Sequence, residues 1–518
     1  MKIAAITPIF FVFFLALTSP AGALAKDKIV TLLFTNDVES AYDPIPAHWR
    51  PDMEMIGGIA EMTTLIREIR ERDPHVFLFD SGDIFTGSLA KETEGVLAFE
   101  LMTSMGYDAM AIGNHEFEYG VEIFEWAKNR AAFPVLGANM FYRGTDHPYA
   151  QAHAIIERDG VRIGVIGIMG RDAVSAIIPS NIAALDVRNE AEAVQRSVDA
   201  IRADVDIVVL LTHQGKTAPM QTDAESDPRL QRDIDADIAL AGAVTGVDVL
   251  FAGHADAGTL KPVVHPKSGT LIMQTYGQAT HLGYLQLALD NESGKIKSYD
   301  GKLVPVNAGV LLPDPLIAAK LADYRGRFPK LFEPVGSAAE FMARRYIEES
   351  DVGNLFADVI RAAAGTEMAF IHAGSLRKDI PEGSLTRADL LDVYPFVDDV
   401  LRFQLTGAQL REILEQSLSQ ERGLMQISGF SIAYDYSKPV GERLVWMRRG
   451  GQDIAPADVF SAAAPGFLAE GGDLFTSFAV SQPQISVGTV ADIIIGYFAN
   501  STGVSAPDKG RQQDVSRR

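Results

Sequence analysis

The chain contains no cysteine at all, which excludes disulfides and removes any thiol for lipoprotein attachment. Positive charge is scarce. Lys and Arg number 46 against 68 Asp and Glu, a formal net charge of −22, and such a surface repels nucleic acid and anionic lipid. Most of that acidity reads as ordinary solvated surface. Past the N-terminus no apolar run approaches the length of a membrane span, so neither nucleic acid nor membrane insertion is expected. Internal repeats and low-complexity tracts are also missing.

What is present is a chain of 518 residues, 47% hydrophobic, long enough for two cores and two domains. Residues 1–25 read as a secretory signal peptide. Lys2 precedes the short apolar run Ile9–Leu17, and the small-residue triplet Ala23-Leu24-Ala25 marks cleavage before Lys26. The mature protein is expected in the periplasm or secreted.

From there to residue 305, strand-like runs alternate with helix-like ones, as in a layered α/β domain. Ile29–Phe34 runs into Thr35-Asn36-Asp37-Val38-Glu39, and Val76–Phe79 into Asp80-Ser81-Gly82-Asp83. Ala109–Ile112 leads to Gly113-Asn114-His115-Glu116. Val205–Leu211 precedes Thr212-His213-Gln214, and Val247–Phe251 precedes Gly253-His254-Ala255-Asp256. Between the first two strands, Ile59, Met62, Ile66 and Ile69 have the spacing of an amphipathic helix. Prolines 305, 313, 315, 329 and 334 bracket a helical stretch within a connector, residues 306–336. A second domain is expected over 337–500, and a disordered tail over 501–518.

The strand-end residues form a chemical set. Asp37, Glu39, Asp83, Asn114, His213, His254 and Asp256 each follow an apolar strand within a few positions, where open α/β sheets place ligand groups. Taken singly, each carboxylate is more often a cap or turn former and each His more often structural. As an ordered set they suit two divalent cations sharing a carboxylate, about 3.5–4 Å apart, as in two-metal phosphoryl chemistry.

That order of motifs resembles the calcineurin-like metallophosphoesterases. In the second half His372–Arg377, Tyr394-Pro395-Phe396, Gln426-Ile427-Ser428-Gly429 and Phe467–Asp473 resemble the C-terminal 5′-nucleotidase domain. Nearly all of the mature chain is thus similar to the periplasmic UDP-sugar hydrolase/5′-nucleotidase family. The resemblance implies a four-layer α/β/β/α domain followed by a smaller α/β substrate-binding domain. It implies Asp83 as the bridging ligand, Asp37, Glu39 and Asp256 on one metal, and Asn114, His213 and His254 on the other. His115 would face the substrate phosphate, oriented by Glu118, one methylene longer than the usual Asp. Arg377 would contact substrate, Phe467 would stack on a base and Asp473 would bond the ribose.

Several positions depart from the family pattern. Glu39 stands where His is usual and Asp256 where Gln or His is usual, so one metal site is all carboxylate. Oxygen ligands favour Mn²⁺ or Mg²⁺ over Zn²⁺. In the nucleoside pocket His372 replaces Asn, Asp398 replaces Asn, and Leu424 replaces a stacking aromatic; the upstream Arg is either Arg344 or Arg345. The expected activity is metal-dependent hydrolysis of nucleoside 5′-monophosphates or related small phosphate esters. Two other readings stand beside it: the same fold acting on a cyclic nucleotide, sugar nucleotide or thiosulfonate, and a catalytically silent ligand-binding protein.

Overall fold

The computed structural model describes residues 27–47, 49–216, 234–290, 294–419, 423–479 and 484–516. The leader expected at 1–25 lies outside the described residues.

Two six-stranded sheets face each other in the first domain. One runs Ile296–Pro305, His281–Leu289, Lys28–Thr35, Val76–Asp80, Ala109–Ala111, Val135–Leu136, its last four strands parallel. The other runs Val263–Val264, Leu271–Met273, Val249–His254, Ile207–Gln214, Val161–Met169, His153–Arg158. Strand alternation sorts the side chains. Val30, Leu32 and Phe34 point into the space between sheets with Val209, Leu211 and Phe251, and the Phe34 and Phe251 rings stack with centroids 4.1 Å apart. Leu33 and Leu78 point the other way, onto the helix Ile59–Arg72, whose Met62 and Ile66 are buried there. Val208 and Leu210 meet Val194 and Val198 of the helix Glu190–Ile201. The result is four layers, helix, sheet, sheet, helix, as the resemblance implies.

The connector carries the helix Pro315–Arg327, N-capped by Asp314, with Ile317, Leu321 and Tyr324 buried in a large core cluster that runs from the first domain's helical layer into the second domain. After it, Pro334–Ala338 pairs with Gly383–Thr386, so the next domain's strands begin inside the expected connector. That domain is built on a five-stranded sheet ordered Gln426–Ser428, Met368–Ile371, Val459–Pro465, Asp399–Thr406, Ile485–Thr489.

The tail corrects one expectation. Polar composition predicts disorder over 501–518, yet Gln512–Asp514 forms a strand parallel to Ser431–Tyr434. Arg511 makes a two-pronged ion pair with Asp358, at 2.8 and 2.6 Å. Composition registers the lack of apolar residues. It does not register that an edge strand supplies backbone partners and a half-buried carboxylate a charge partner.

Candidate active site

The candidate ligands sit at neighbouring strand ends for a local reason. Parallel strands end together, and each tight turn that follows must leave the sheet within two or three residues. Asp37, Glu39, Asp83, His254 and Asp256 accordingly adopt positive φ, from 45° to 73°. Non-glycine residues tolerate that region only where the surroundings hold them, and such strain gathers at functional sites. The turns are also tied to one another. The Asp37 amide donates to the Gly82 carbonyl and the Glu39 amide to the Asp83 carbonyl, both at 2.9 Å, while the His254 amide donates to Asp37 Oδ2 at 2.8 Å.

Most of the residues singled out from sequence line one cavity: Asp37, Glu39, Asp83, Asn114, His115, Glu118, His254 and Asp256 from the first domain, with His372, Arg377, Asp398, Phe467 and Asp473 from the second. His213 stands directly behind, fully buried. Its Nδ1 faces the Ser81 carbonyl at 2.8 Å, an acceptor, so that nitrogen carries hydrogen. Its Nε2 then lies 3.0 Å from both Asp83 Oδ2 and Asn114 Oδ1. Three lone-pair atoms converge there, and such a cluster is stable only with a proton or a cation at its centre. Although burial opposes it, Asp83 draws the His213 pKa up to about 10.

A second group, Glu39, Asp83 and His115, has donor atoms within 4.8 Å of one another and shares Asp83 with the first group, Asp83, His213 and His254. Burial pushes the Asp37 carboxyl up to about 7. Asp256 is raised well above the usual carboxylate range by burial and then by Asp37 and Glu39. Its Oδ1 is buried with no hydrogen-bond donor within reach, which costs free energy unless something positive approaches it. The convergent lone pairs and this orphaned oxygen fit divalent cations. Asp83 is held low because His213 and His115 outweigh its burial.

His115 opens the three-residue turn His115–Phe117. Its Nδ1 lies 3.0 Å from Glu118 Oε2, and its Nε2 lies 2.9 Å from Arg377 Nη2. A guanidinium only donates, so this contact makes Nε2 the acceptor and puts the ring hydrogen on Nδ1, facing Glu118. Against the opposing effect of burial, Asp83, Glu118 and Glu39 draw the imidazole pKa well up. A second proton can therefore enter at Nε2 only when Arg377 moves away. Arg377 also donates to Glu39 Oε1 at 2.8 Å. Burial would raise Glu39, but first Arg377 and then His115 hold it below the usual range. Phe396 lies against both the guanidinium, at 5.7 Å, and the His115 ring, at 5.9 Å.

Between the two upstream arginines the structure separates clearly. Arg344 lines the cavity, whereas Arg345 is exposed and turns back to the Arg344 carbonyl. Leu424 is fully buried in the second domain's core and flanks nothing in the cavity. Sequence reading missed Tyr346, Ile177, Ile178 and Asn181, which all line it. Asn181 Nδ2 donates to the carbonyls of Phe117 and Glu118, at 3.1 and 2.9 Å, bracing the turn that carries His115. Nothing in the irregular stretch around Asn181 marks it; only a Pro179 turn start is visible in the sequence.

Fold and site together define a metal-dependent phosphoester hydrolase. The calcineurin-like phosphoesterase model matches residues 30–255, and the 5′-nucleotidase C-terminal domain model matches residues 334–480. The chain belongs to the family that joins these two domains. It is 26% identical over 532 residues to the 5′-nucleotidase of Rattus norvegicus, spanning 91% of this chain and 88% of that protein. It is also 26% identical over 423 residues to Endonuclease YhcR of Bacillus subtilis, covering 78% of this chain but only 34% of that longer relative. The solved 5′-nucleotidase precursor from Thermus thermophilus shares the fold with a TM-score of 0.83 at 24% identity, covering 94% of this chain and 99% of that one.

Proposed function

We propose that this is an exported two-metal phosphoesterase that hydrolyses nucleoside 5′-monophosphates or related small phosphate esters. The observation that carries the reading is Arg377, which reaches from the second domain to within 2.9 Å of His115 and 2.8 Å of Glu39. A substrate phosphate entering there meets groups of both domains at once, and domain interfaces are common ligand sites.

Asp37, Glu39, Asp83 and Asp256 would hold one cation, and Asp83, Asn114, His213 and His254 the other. When bound, such ions supply Lewis-acid charge to the phosphoryl oxygens and an acidified nucleophilic water. The chain's own residues do the rest. His115, held by Glu118, delivers a proton or hydrogen bond from Nε2 to the leaving oxygen once Arg377 has turned to the phosphate. Arg377 and Arg344 hold the phosphate's negative charge. Phe467 offers an aromatic face and Asp473 an acceptor for a hydroxyl of the remainder of the ester. The all-oxygen donor set of the first site favours Mn²⁺ or Mg²⁺ over Zn²⁺. Export rests on the N-terminal stretch; sequencing the secreted protein should find Lys26 first, and an intact Met1 in a membrane fraction would overturn it.

One observation favours a second reading, hydrolysis of an ester without a base. Leu424, at the position of one stacking ring, is buried in the core, which leaves Phe467 without that partner. Metal-depleted protein restored with Mn²⁺, Mg²⁺ or Zn²⁺ and offered nucleoside monophosphates, cyclic nucleotides, sugar nucleotides, a thiosulfonate and an aryl phosphate separates these readings. Phosphate release fastest from nucleoside monophosphates is expected. Metal binding without hydrolysis of any ester would make the protein a ligand-binding one.

A further inference from the structure

Glu116 has neither a ligand's nor a catalyst's part in the site above and does not line the cavity, yet it is 1% exposed and bonded to the turns that carry the site. Its Oε2 accepts from the backbone N–H of Gly113 at 2.6 Å and of Asp83 at 2.9 Å, and its Oε1 accepts from Ile84 N–H at 2.8 Å. These amides belong to two separate turns, one carrying Asp83 and the other Asn114. The turns approach so closely that a Cβ on Gly82 would stand 2.7 Å from Gly113 N, and one on Gly113 would stand 2.3 Å from Asp83 Oδ1. Asp83 Oδ1 in turn accepts from His115 N–H at 2.7 Å.

We propose that Glu116 is a positioning residue that clamps the two turns together. It sets the spacing of the Asp83 carboxylate and the Asn114 amide oxygen before any cation arrives. The role rests on the reading of Asp83 and Asn114 as metal ligands. Three donors converge on one side chain, and only an ionised carboxylate offers acceptors alone. Glutamine has one oxygen, so in either orientation its NH₂ group faces at least one backbone N–H. Aspartate is a methylene too short to reach both turns. Groups that orient metal ligands typically change metal affinity 10–100-fold, roughly, when replaced.

The test uses the full chain with Glu116→Gln, and Glu415→Gln as the control. Glu415 likewise accepts from two successive amides, Arg443 and Leu444, both at 2.9 Å, but in the second domain. Mn²⁺ affinity of metal-depleted protein is read by titration calorimetry, and the two-ion arrangement by the spin-coupled Mn²⁺ resonance signal. Glu116→Gln should weaken Mn²⁺ binding about 10–100-fold and abolish the coupled signal. Glu415→Gln should leave both unchanged, even where it lowers Tm equally. Tight binding with an intact coupled signal in Glu116→Gln would overturn the clamp. If that variant does not fold, hydrogen exchange on the metal-free native chain decides. Protected amides at Asp83, Ile84 and Gly113 support the clamp, and freely exchanging ones overturn it. Native protein that binds no Mn²⁺ would overturn the metal reading and this role with it, whereas binding indifferent to Glu116→Gln sinks the clamp alone.

Discussion

Glu118 should act on catalysis only through His115, and the geometry lets that be measured. The Nδ1–Oε2 contact is 3.0 Å, between side chains 8% and 9% exposed. A hydrogen bond to a charged partner is worth about 1.5–3 kcal/mol. At about 1.4 kcal/mol per decade this corresponds to roughly 10–150-fold in rate. Glu118→Ala should therefore lower kcat by about that factor with metal content unchanged. Glu118→Gln keeps the shape and an acceptor but loses the charge, and should fall between that variant and the native enzyme. His115→Ala should lower kcat roughly 10²–10⁴-fold, the usual range for general acid–base catalysis, again with both ions retained. The double variant His115→Ala/Glu118→Ala should then be no slower than His115→Ala, since the carboxylate has nothing left to orient. Initial rates on a phosphate ester, with metal analysis on each protein, complete the cycle. Multiplying losses in the double variant would refute the reasoning, and so would loss of metal in His115→Ala.

Asp83→Ala should lose metal and activity together, because its carboxylate would serve both proposed cation sites; elemental analysis checks this. After chelation, activity should return better with Mn²⁺ or Mg²⁺ than with Zn²⁺, and Glu39→His with Asp256→Gln should move that preference towards Zn²⁺. Equal restoration by all three metals in both proteins would contradict it. Phe467→Ala should slow base-containing substrates more than an aryl phosphate, by about 1–3 kcal/mol of lost stacking; equal losses would show that the ring supports the fold. Burial pushes the Asp398 carboxyl up from 3.8 to about 7, so its contribution to stability is complete at low pH and is lost as pH rises between those two values. Asp398→Asn should therefore flatten the fall in Tm across that window, followed by calorimetry; an unchanged slope would place the loss elsewhere.

Much of this protein was determined by short-range features of the chain. Short apolar runs, each ended by a turn former, marked the strands that carry Asp37, Asp83, Asn114, His213 and His254. Within each sheet, parallel pairing sets the candidate ligands at one edge, Asp37, Asp83 and Asn114 on one sheet and His213 and His254 on the other; only the packing of sheet on sheet brings the two sets together. The same locality explains what stayed hidden. Arg377 lies 262 residues from His115 in sequence, and only the docking of the second domain makes the two contact partners. Asn181 and Tyr346 sit in stretches without periodicity, since a cavity wall is selected by shape and backbone carbonyls within reach. The tail looked too polar to order itself; it became a strand because Ser431–Tyr434 offered an unpaired edge and Asp358 a partner for Arg511. Glu116 was visible as a letter in a motif, but its three backbone partners come from two turns well separated in the chain, brought together by parallel strand pairing that no local pattern encodes.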